Sequence, residues 1–176
     1  SNHIRYDTPS FGGFSGGLSI ALDETAGVSN DANAFNLRYR AGALDVGVAA
    51  QKQKNTVVAD ERDYRVLAAS YNFGVVRVSG QYQTAEQGNG LEDNEYSLGV
   101  TMPLGAFELS AGYAMGKSEL NGLTTEEGKA LALGATYALS KRTKLYGGYL
   151  DGEVENGVGT VTTDRRLFAL GVRHDF

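Results

Sequence analysis

The side chains in this chain that could do chemistry are charged groups set among small polar residues, not nucleophiles or soft metal ligands. The chain has no Cys and only two His, which excludes thiol catalysis, iron–sulfur clusters and Cys-based zinc sites. Ser10 and Ser15 lie among glycines but form no G-x-S-x-G nucleophile elbow. Gly12-Gly13 and Gly16-Gly17 are followed by neither Lys-Ser/Thr nor a helical pattern, so they do not predict a phosphate loop. The sequence therefore predicts neither an enzyme nor a bound cofactor.

Composition narrows the class of protein further. The 176 residues amount to about one domain, and a hydrophobic content of 41% is too high for a disordered chain. The net charge of −5 argues against a nucleic-acid partner, which requires a basic face. No apolar run approaches the ~18 residues of a transmembrane helix, although β-barrels cross membranes with much weaker sequence signals.

The dominant period of the sequence is two. Apolar residues alternate with polar or small ones, as in the segment Phe-Asn-Leu-Arg-Tyr-Arg at 35–40, and this places the two classes on opposite faces of a strand. No segment has a convincing period of 3.6. Eleven strands are expected, near residues 2–8, 13–23, 32–41, 44–54, 63–73, 75–84, 94–104, 106–117, 129–140, 143–151 and 164–176.

Short connections between these strands alternate with long ones. In an up-and-down arrangement all the short turns therefore lie at one end of the sheet, called the short-turn end, and all the long loops at the other. The long loops are expected near 24–31, 55–62, 85–93, 118–128 and 152–163. All but four of the 21 acidic residues lie in or beside these loops; the exceptions are Asp7, Asp45, Glu108 and Asp175. The opposite end is therefore called the acidic end. Short turns at one end and long loops at the other are typical of outer-membrane barrels.

Alternation alone leaves open whether the apolar face is the core of a soluble β-sandwich or lipocalin-like protein, or faces lipid. Small residues dominate the polar face, and aromatic residues collect near both strand ends, as the two interfaces of a bilayer require. The favoured fold class is therefore all-β, a transmembrane antiparallel up-and-down β-barrel. Its membrane-interface aromatic residues are expected to include Tyr39, Tyr71, Tyr82, Tyr96, Tyr137, Phe168 and Phe176.

Strand parity predicts that the barrel continues beyond this segment. Complete single-chain bacterial barrels have an even number of strands, whereas eleven are expected here. With a short first connection and a long last one, Ser1 and Phe176 fall at opposite ends of the wall. At least one upstream strand is expected to complete the barrel, because an open edge in lipid leaves backbone groups unpaired.

Three segments resemble the Gram-negative general diffusion porins of the beta-proteobacterial type. Residues 2–16 read Asn-His-Ile-Arg-Tyr-Asp-Thr-Pro-Ser-Phe-Gly-Gly-Phe-Ser-Gly, residues 139–146 contain Leu-Ser-Lys-Arg-Thr and Leu-Tyr, and the chain ends Leu-Gly-Val-Arg-His-Asp-Phe. Thr8 stands where that family more often has Ser. The resemblance implies a sixteen-stranded trimeric barrel in a Gram-negative outer membrane. Residues 1–176 are then one segment holding the last eleven strands, and the first five strands and the constriction loop lie outside it.

A porin acts by letting solutes diffuse through a water-filled lumen whose fixed charges select among them. Alternation places nine charged residues on the expected lumen face: Arg5, Arg38, Arg40, Arg77, Lys144, Arg173, Asp7, Asp45 and Glu108. One hypothesis is that Arg5, Arg38, Arg40 and Arg77 form a basic ladder that attracts anions, as the resemblance also implies. The alternative is that the acidic residues pair with the arginines and cancel the field.

The predicted function is passive diffusion of small hydrophilic solutes and ions with a preference for anions; the alternative is a non-conducting structural or adhesive barrel. The implied partners are two further protomers, the upstream strands and lipopolysaccharide. Asp151, Glu153 and Glu155 could bridge divalent cations to lipopolysaccharide phosphates, but a solvated loop surface is the simpler interpretation, and no metal site is predicted. His174 is expected on the lipid-facing side as an interfacial residue.

Overall fold

The chain forms one eleven-stranded antiparallel sheet in which every strand pairs with its neighbours in sequence. The computed structural model describes residues 2–22, 31–55 and 60–176. The strands are β1 Asn2–Asp7, β2 Phe14–Leu22, β3 Ala32–Ala41, β4 Leu44–Asn55, β5 Asp60–Asn72, β6 Arg77–Gln87, β7 Leu91–Leu104, β8 Phe107–Leu120, β9 Leu123–Ala138, β10 Thr143–Asn156 and β11 Val161–His174. The all-β, up-and-down prediction is confirmed. Among the described residues no helix has the length and hydrophobicity to cross a membrane.

The strand bounds agree with prediction at the short-turn end and differ at the acidic end. At the short-turn end every bound lies within two residues of the expected position. The long loops expected near 85–93, 118–128 and 152–163 are wrong, because strands run through most of these residues and leave connections of only 88–90, 121–122 and 157–160. Of the other two expected loops, residues 24–30 and 56–59 lie outside the described residues.

The extended hairpins at the acidic end have a local cause. Asn121 and Gly122 adopt φ values of 52° and 80°, the left-handed pair that makes a two-residue turn compatible with the twist of the flanking strands. The polar residues before and after these turns pair in register, as in Glu119↔Thr124 around Asn121-Gly122 and Glu86↔Glu92 around residues 88–90. The polar composition of these segments correctly indicates that they are solvated, but most of their residues form strands and not loops.

The sheet is a single layer with one apolar and one polar face. Within the described residues no hydrophobic side chain is buried, and Leu98 and Leu170 on the apolar face are 66% and 91% exposed. The accessible surface is 12199 Å², against the about 8,300 Å² expected of a folded soluble monomer of this mass. The soluble-sandwich alternative fails here, because its apolar face needs a second layer and the described sheet provides none.

Aromatic rings on the apolar face meet in pairs at two heights. At the short-turn end the ring centroids are 4.5 Å apart in Phe14–Tyr39, 4.6 Å in Tyr71–Phe73 and 4.5 Å in Phe107–Tyr137. Toward the acidic end they are 4.7 Å apart in both Tyr82–Tyr96 and Tyr149–Phe168. His174 packs edge-on against Phe176 at 4.9 Å. The eight steps from Phe168 to Phe176 correspond to about 26 Å along the chain, or about 20 Å of height at the 35–45° tilt usual for strands of outer-membrane barrels.

The two faces should differ sharply in their tolerance of charge. We expect Leu133→Arg, at mid-strand on the apolar face, to lower the free energy of unfolding of the intact protein from lipid vesicles by about 2–4 kcal/mol. Ala132→Arg, the adjacent position on the polar face, should cost less than about 1 kcal/mol because its guanidinium reaches water. Denaturant titrations of the two variants in vesicles make the comparison, and equal losses would contradict the assignment of faces.

Candidate functional site

The polar face of the sheet brings the nine charged residues named above onto one surface. Strand register fixes this arrangement, since Cα partners share a face and alternate residues along a strand return to it. Arg5 lies opposite Ser19, Arg40 opposite Asp45, and Arg77 opposite Thr101. Glu108 lies in one row with Thr136, and that row continues to Tyr146 on β10. The polar face is therefore the candidate site.

The tightest charge cluster on the polar face is Arg38, Arg40 and Asp45. The β3–β4 hairpin turns at Gly42, whose φ is 55°, and brings both guanidiniums over one carboxylate. Arg38 donates from Nε to Asp45 Oδ1 at 2.6 Å and from Nη2 to Oδ2, and Arg40 donates from Nε to Oδ2 at 3.2 Å. Two cations share one anion, so this cluster retains one net positive charge.

Arg5 and Asp7 form a second ion pair, two residues apart on β1. Arg5 donates from Nη2 to Asp7 Oδ1 at 2.8 Å and from Nε to Oδ2 at 2.9 Å. The pair lies beside Gly17, where a Cβ would meet Asp7 Oδ1 at 2.6 Å and Asn36 Nδ2 at 2.9 Å. A glycine at this position lets the carboxylate lie flat against the wall, and the pair contributes no net charge.

The remaining four of the nine charged residues lie on β6, β8, β10 and β11. Arg173 donates from Nε to Asp175 Oδ1 at 3.0 Å, and Lys144 lies directly opposite Arg173 across the β10–β11 pair. Within the described ranges, Arg77, Lys144 and Glu108 make no ion pair or side-chain hydrogen bond. The uncompensated charge toward the short-turn end of the polar face is therefore mainly positive.

Sequence reasoning missed several acidic side chains on the polar face, among them Asp93 and Glu95. The sequence prediction counts Asp93 with the loop near 85–93 and Glu95 with the strand end beside that loop, and it assigns neither to the lumen face. In the structure both are on β7 and point to the same side as Ser97. Ser118 donates to Asp93 at 2.5 Å, and Gln83 donates to Glu95. The polar face thus changes from acidic near the acidic end to basic near the short-turn end.

Two of the open recesses on the polar face have volumes of about 470 Å³ each. The first is lined by Arg5, Gln51, Tyr64, Gln83 and Glu95 among others, and the second by Arg38, Asp45, Ser70, Ser79 and Gln81 among others. From Asp45 a row of cross-strand partners continues through small side chains, in the order Ser70, Ser79, Gly99, Gly112 and Ala132. This row, the small-residue row, leaves space for solute-sized molecules over the sheet.

Residues 8–13 form the turn that joins β1 to β2. The Thr8 hydroxyl accepts a hydrogen bond from the Gly16 N–H at 2.8 Å, a role that Ser can also fill. Gly12 and Gly13 have φ values of 59° and 88°, and the Gly13 carbonyl accepts from the Arg40 N–H at 2.8 Å. The turn motif is therefore connected directly to the strand that carries the arginine cluster.

A further feature missed from the sequence is a set of apolar residues on the polar face of β10 and β11. Tyr146, Leu150 and Val154 alternate with glycines on the same side as Lys144, and Leu167 lies opposite Leu150. Arg165 lies on the same face, two residues from Leu167. Counting alternate residues from Lys144 would have found them, but the general rule that polar side chains face inward concealed the exception.

The carboxylates proposed to bridge divalent cations are already matched by cations. On the apolar face at the acidic end, Lys129 Nζ lies 3.0 Å from Glu153 and 3.9 Å from Glu155, and Arg166 Nε lies 3.5 Å from Asp151. Across the described part of the chain, no three His, Asp or Glu residues group as metal ligands. The surface here is a band of alternating charges.

Comparisons with known proteins all point the same way. The family model described as Gram-negative porin matches residues 1–157. Outer membrane porin protein 32 of Delftia acidovorans is 35% identical over 159 residues, which cover 84% of this chain and 44% of that protein. An outer membrane porin protein of Bordetella pertussis is 27% identical, over 99% of this chain and 57% of its own length. The chain spans about half the length of these relatives.

Solved structures agree with the sequence relatives. The anion-selective porin from Comamonas acidovorans superposes with a TM-score of 0.86 at 30% identity, over 99% of this chain and 59% of that one. A trimer form of OmpT, an outer membrane protein of Vibrio cholerae, has a TM-score of 0.75 at 19% identity, over 98% and 64% of the two chains. The second likeness concerns the fold alone.

The two turn glycines provide a matched pair of substitutions. Both have left-handed backbones, but a Cβ at Gly12 meets nothing within 4 Å, whereas one at Gly13 would lie 2.5 Å from the Arg40 carbonyl oxygen. We expect Gly12→Ala to lower the free energy of unfolding by about 1 kcal/mol. Gly13→Ala should lower it by about 3 kcal/mol, because the overlapping atom is backbone. Denaturant unfolding of the intact protein measures both, and similar losses would show that Gly13 does not hold β3.

Proposed function

The chain belongs to the Gram-negative porin family, and we propose that it forms part of the wall of a water-filled channel in a Gram-negative outer membrane. Small hydrophilic solutes and ions diffuse through this channel, with a preference for anions, and no bond is made or broken. The single observation that carries the proposal is the two-faced sheet. An unburied apolar face with two levels of aromatic pairs lies opposite a face of charged and small residues.

The two faces of the sheet suit two different solvents. Rings such as Tyr39 and Tyr137 lie near the short-turn ends of their strands, where amphipathic or bulky side chains favour the membrane–water interface. The small residues of the polar face, Gly99 and Gly112 among them, leave the lumen open to water. Water in the lumen can then solvate the charged residues that the strands carry there.

The anion preference is assigned to the net positive charge toward the short-turn end. In the proposed ladder of Arg5, Arg38, Arg40 and Arg77, Asp7 neutralises Arg5, and Asp45 neutralises one of the next two. The remaining positive charge comes from the arginine cluster and from Arg77. A relative of 30% identity bears the description anion-selective, which supports the same direction.

The proposed partners of the segment are further strands of the same barrel, two further protomers and lipopolysaccharide. Strands upstream of residue 1 pair with β1 and β11 and close a sixteen-stranded barrel, since unpaired backbone groups in lipid cost several kcal/mol each. These upstream strands also supply the constriction loop. A homotrimer is proposed by likeness to the trimer form of OmpT, and lipopolysaccharide contacts the charged band at the acidic end.

Reversing the arginine cluster should reverse the selectivity of the channel. We expect Arg38→Glu with Arg40→Glu to lower the anion-to-cation permeability ratio by about tenfold, because four units of charge change on a partly screened wall. The reversal potential of the intact protein in a planar bilayer, under a potassium chloride gradient, measures the ratio.

The matched control for this variant is Arg65→Glu with Arg166→Glu. It makes the same charge change on the apolar face, where Arg65 pairs with Glu86 at 2.9 Å and Arg166 lies near Asp151. The control should leave the reversal potential almost unchanged. A reversal potential that does not change in the Arg38→Glu, Arg40→Glu variant would refute the basic ladder. The absence of stepwise conductance in the native protein would favour the non-conducting barrel.

Removing the Asp45 carboxylate, which Arg38 and Arg40 share, should change the ion selectivity in the opposite direction. In Asp45→Asn, the guanidiniums of Arg38 and Arg40 lose their counter-ion but keep an amide oxygen as acceptor. We expect the anion-to-cation permeability ratio to rise by about twofold, the effect of one additional unit of positive charge in a watery lumen. Bi-ionic reversal potentials at low ionic strength measure the change, and a fall in the ratio would contradict the proposed charge balance.

A further inference from the structure

The polar face changes its chemistry on β10 and β11. On β8 and β9 the residues that face this side are mostly Gly, Ala and Ser, whereas β10 and β11 present Tyr146, Leu150, Val154 and Leu167. Tyr146 and Leu167 are 45% and 47% exposed. The fixed charges that select among inorganic ions do not account for an aliphatic and aromatic surface on this face.

The Tyr146 ring is placed by a glycine on the neighbouring strand. Tyr146 and Gly171 are Cα partners across β10 and β11, and a Cβ at position 171 would overlap the ring at its Cε1, Cζ and Oη atoms. The ring therefore lies across the neighbouring strand and not upright in the lumen. This position leaves one aromatic face open to a passing solute.

Leu150, Leu167 and Val154 continue the apolar surface toward the acidic end. Leu150 and Leu167 are direct Cα partners, and the three β10 residues follow one another every fourth position with Gly148 and Gly152 between them. This spacing corresponds to about 13 Å between successive apolar side chains. The surface, named the β10–β11 track, therefore runs along the channel and not around it.

Positive charges lie at the short-turn end of the β10–β11 track and within it. At the short-turn end Lys144 lies two residues from Tyr146, opposite Arg173, which is paired with Asp175. Arg165 lies two residues from Leu167 on the same face and makes no ion pair or side-chain hydrogen bond within the described ranges. Two residues along a strand correspond to about 7 Å, which is within the reach of a long cationic side chain.

We infer that the β10–β11 track binds small amphiphilic carboxylates, which have an apolar ring or chain and one anionic group, as they pass through the channel. The carboxylate pairs with Arg165 or Lys144, and the apolar body covers Leu150, Leu167 or the Tyr146 ring. An acid with little apolar surface makes the charge contact but not the second one. This inference rests on the proposed channel function and names a class of solute for it.

The test compares two monocarboxylates of equal charge in the intact protein. Benzoate and acetate are titrated separately against the chloride current of single channels in a planar bilayer. Benzoate should half-block the current at a concentration at least about fivefold lower than acetate, as expected for roughly 40 Å² of additional apolar contact. Tyr146→Ser with Leu150→Ser should remove this difference while the effect of acetate stays the same.

Val66→Ser is the matched control, because Val66 is an apolar residue of the same face on β5, distant from the track. It should leave the benzoate titration unchanged, and an unaltered chloride conductance shows that each variant has folded. Equal block by benzoate and acetate in the native protein, or benzoate block that survives the double variant, would overturn the track while the channel function stands. If the native protein shows no conductance, both the channel function and the track would be overturned.

Discussion

The structure depends on one constraint, the pairing of every backbone amide and carbonyl in a sheet that is only one layer thick. The strand order from β1 to β11 satisfies it by joining each strand to the next in the chain, so no interior strand has an unpaired edge. Because no second layer covers either face, each face must match its own solvent. The period of two in the sequence, the small residues and the aromatic pairs all follow from that requirement.

The same constraint explains what could be predicted from sequence. Alternation reports the face of each residue directly, so the strand number, the topology and the common face of Arg38, Arg40 and Asp45 could be predicted. Composition is a weaker guide, because it reports solvation and not backbone conformation. The segments near 85–93 and 118–128 are polar as expected, yet they are strands, since Asn121-Gly122 and Gly90 allow tight turns.

Pairing between side chains could not be predicted, because it depends on distances that alternation does not contain. Sequence placed arginines and acids on one face but left their balance open. In the structure Asp45 accepts from two arginines while Glu108 accepts from none among the described residues. Alternation is enough to assign Tyr146 to the polar face, but its position over Gly171 could not be predicted, since it needs the register of two strands 25 residues apart in sequence.

The small-residue row has a consequence for how the proposed channel can diverge. It runs from Ser70 to Ala132 over five strands, whereas the arginine cluster is confined to the single β3–β4 hairpin. Bore and charge are therefore encoded at separate positions. A lineage can narrow the passage by exchanging Gly112 or Ala132 for a bulkier residue and keep its ionic preference, or change the hairpin and keep its size limit. The two traits can be inherited and selected independently.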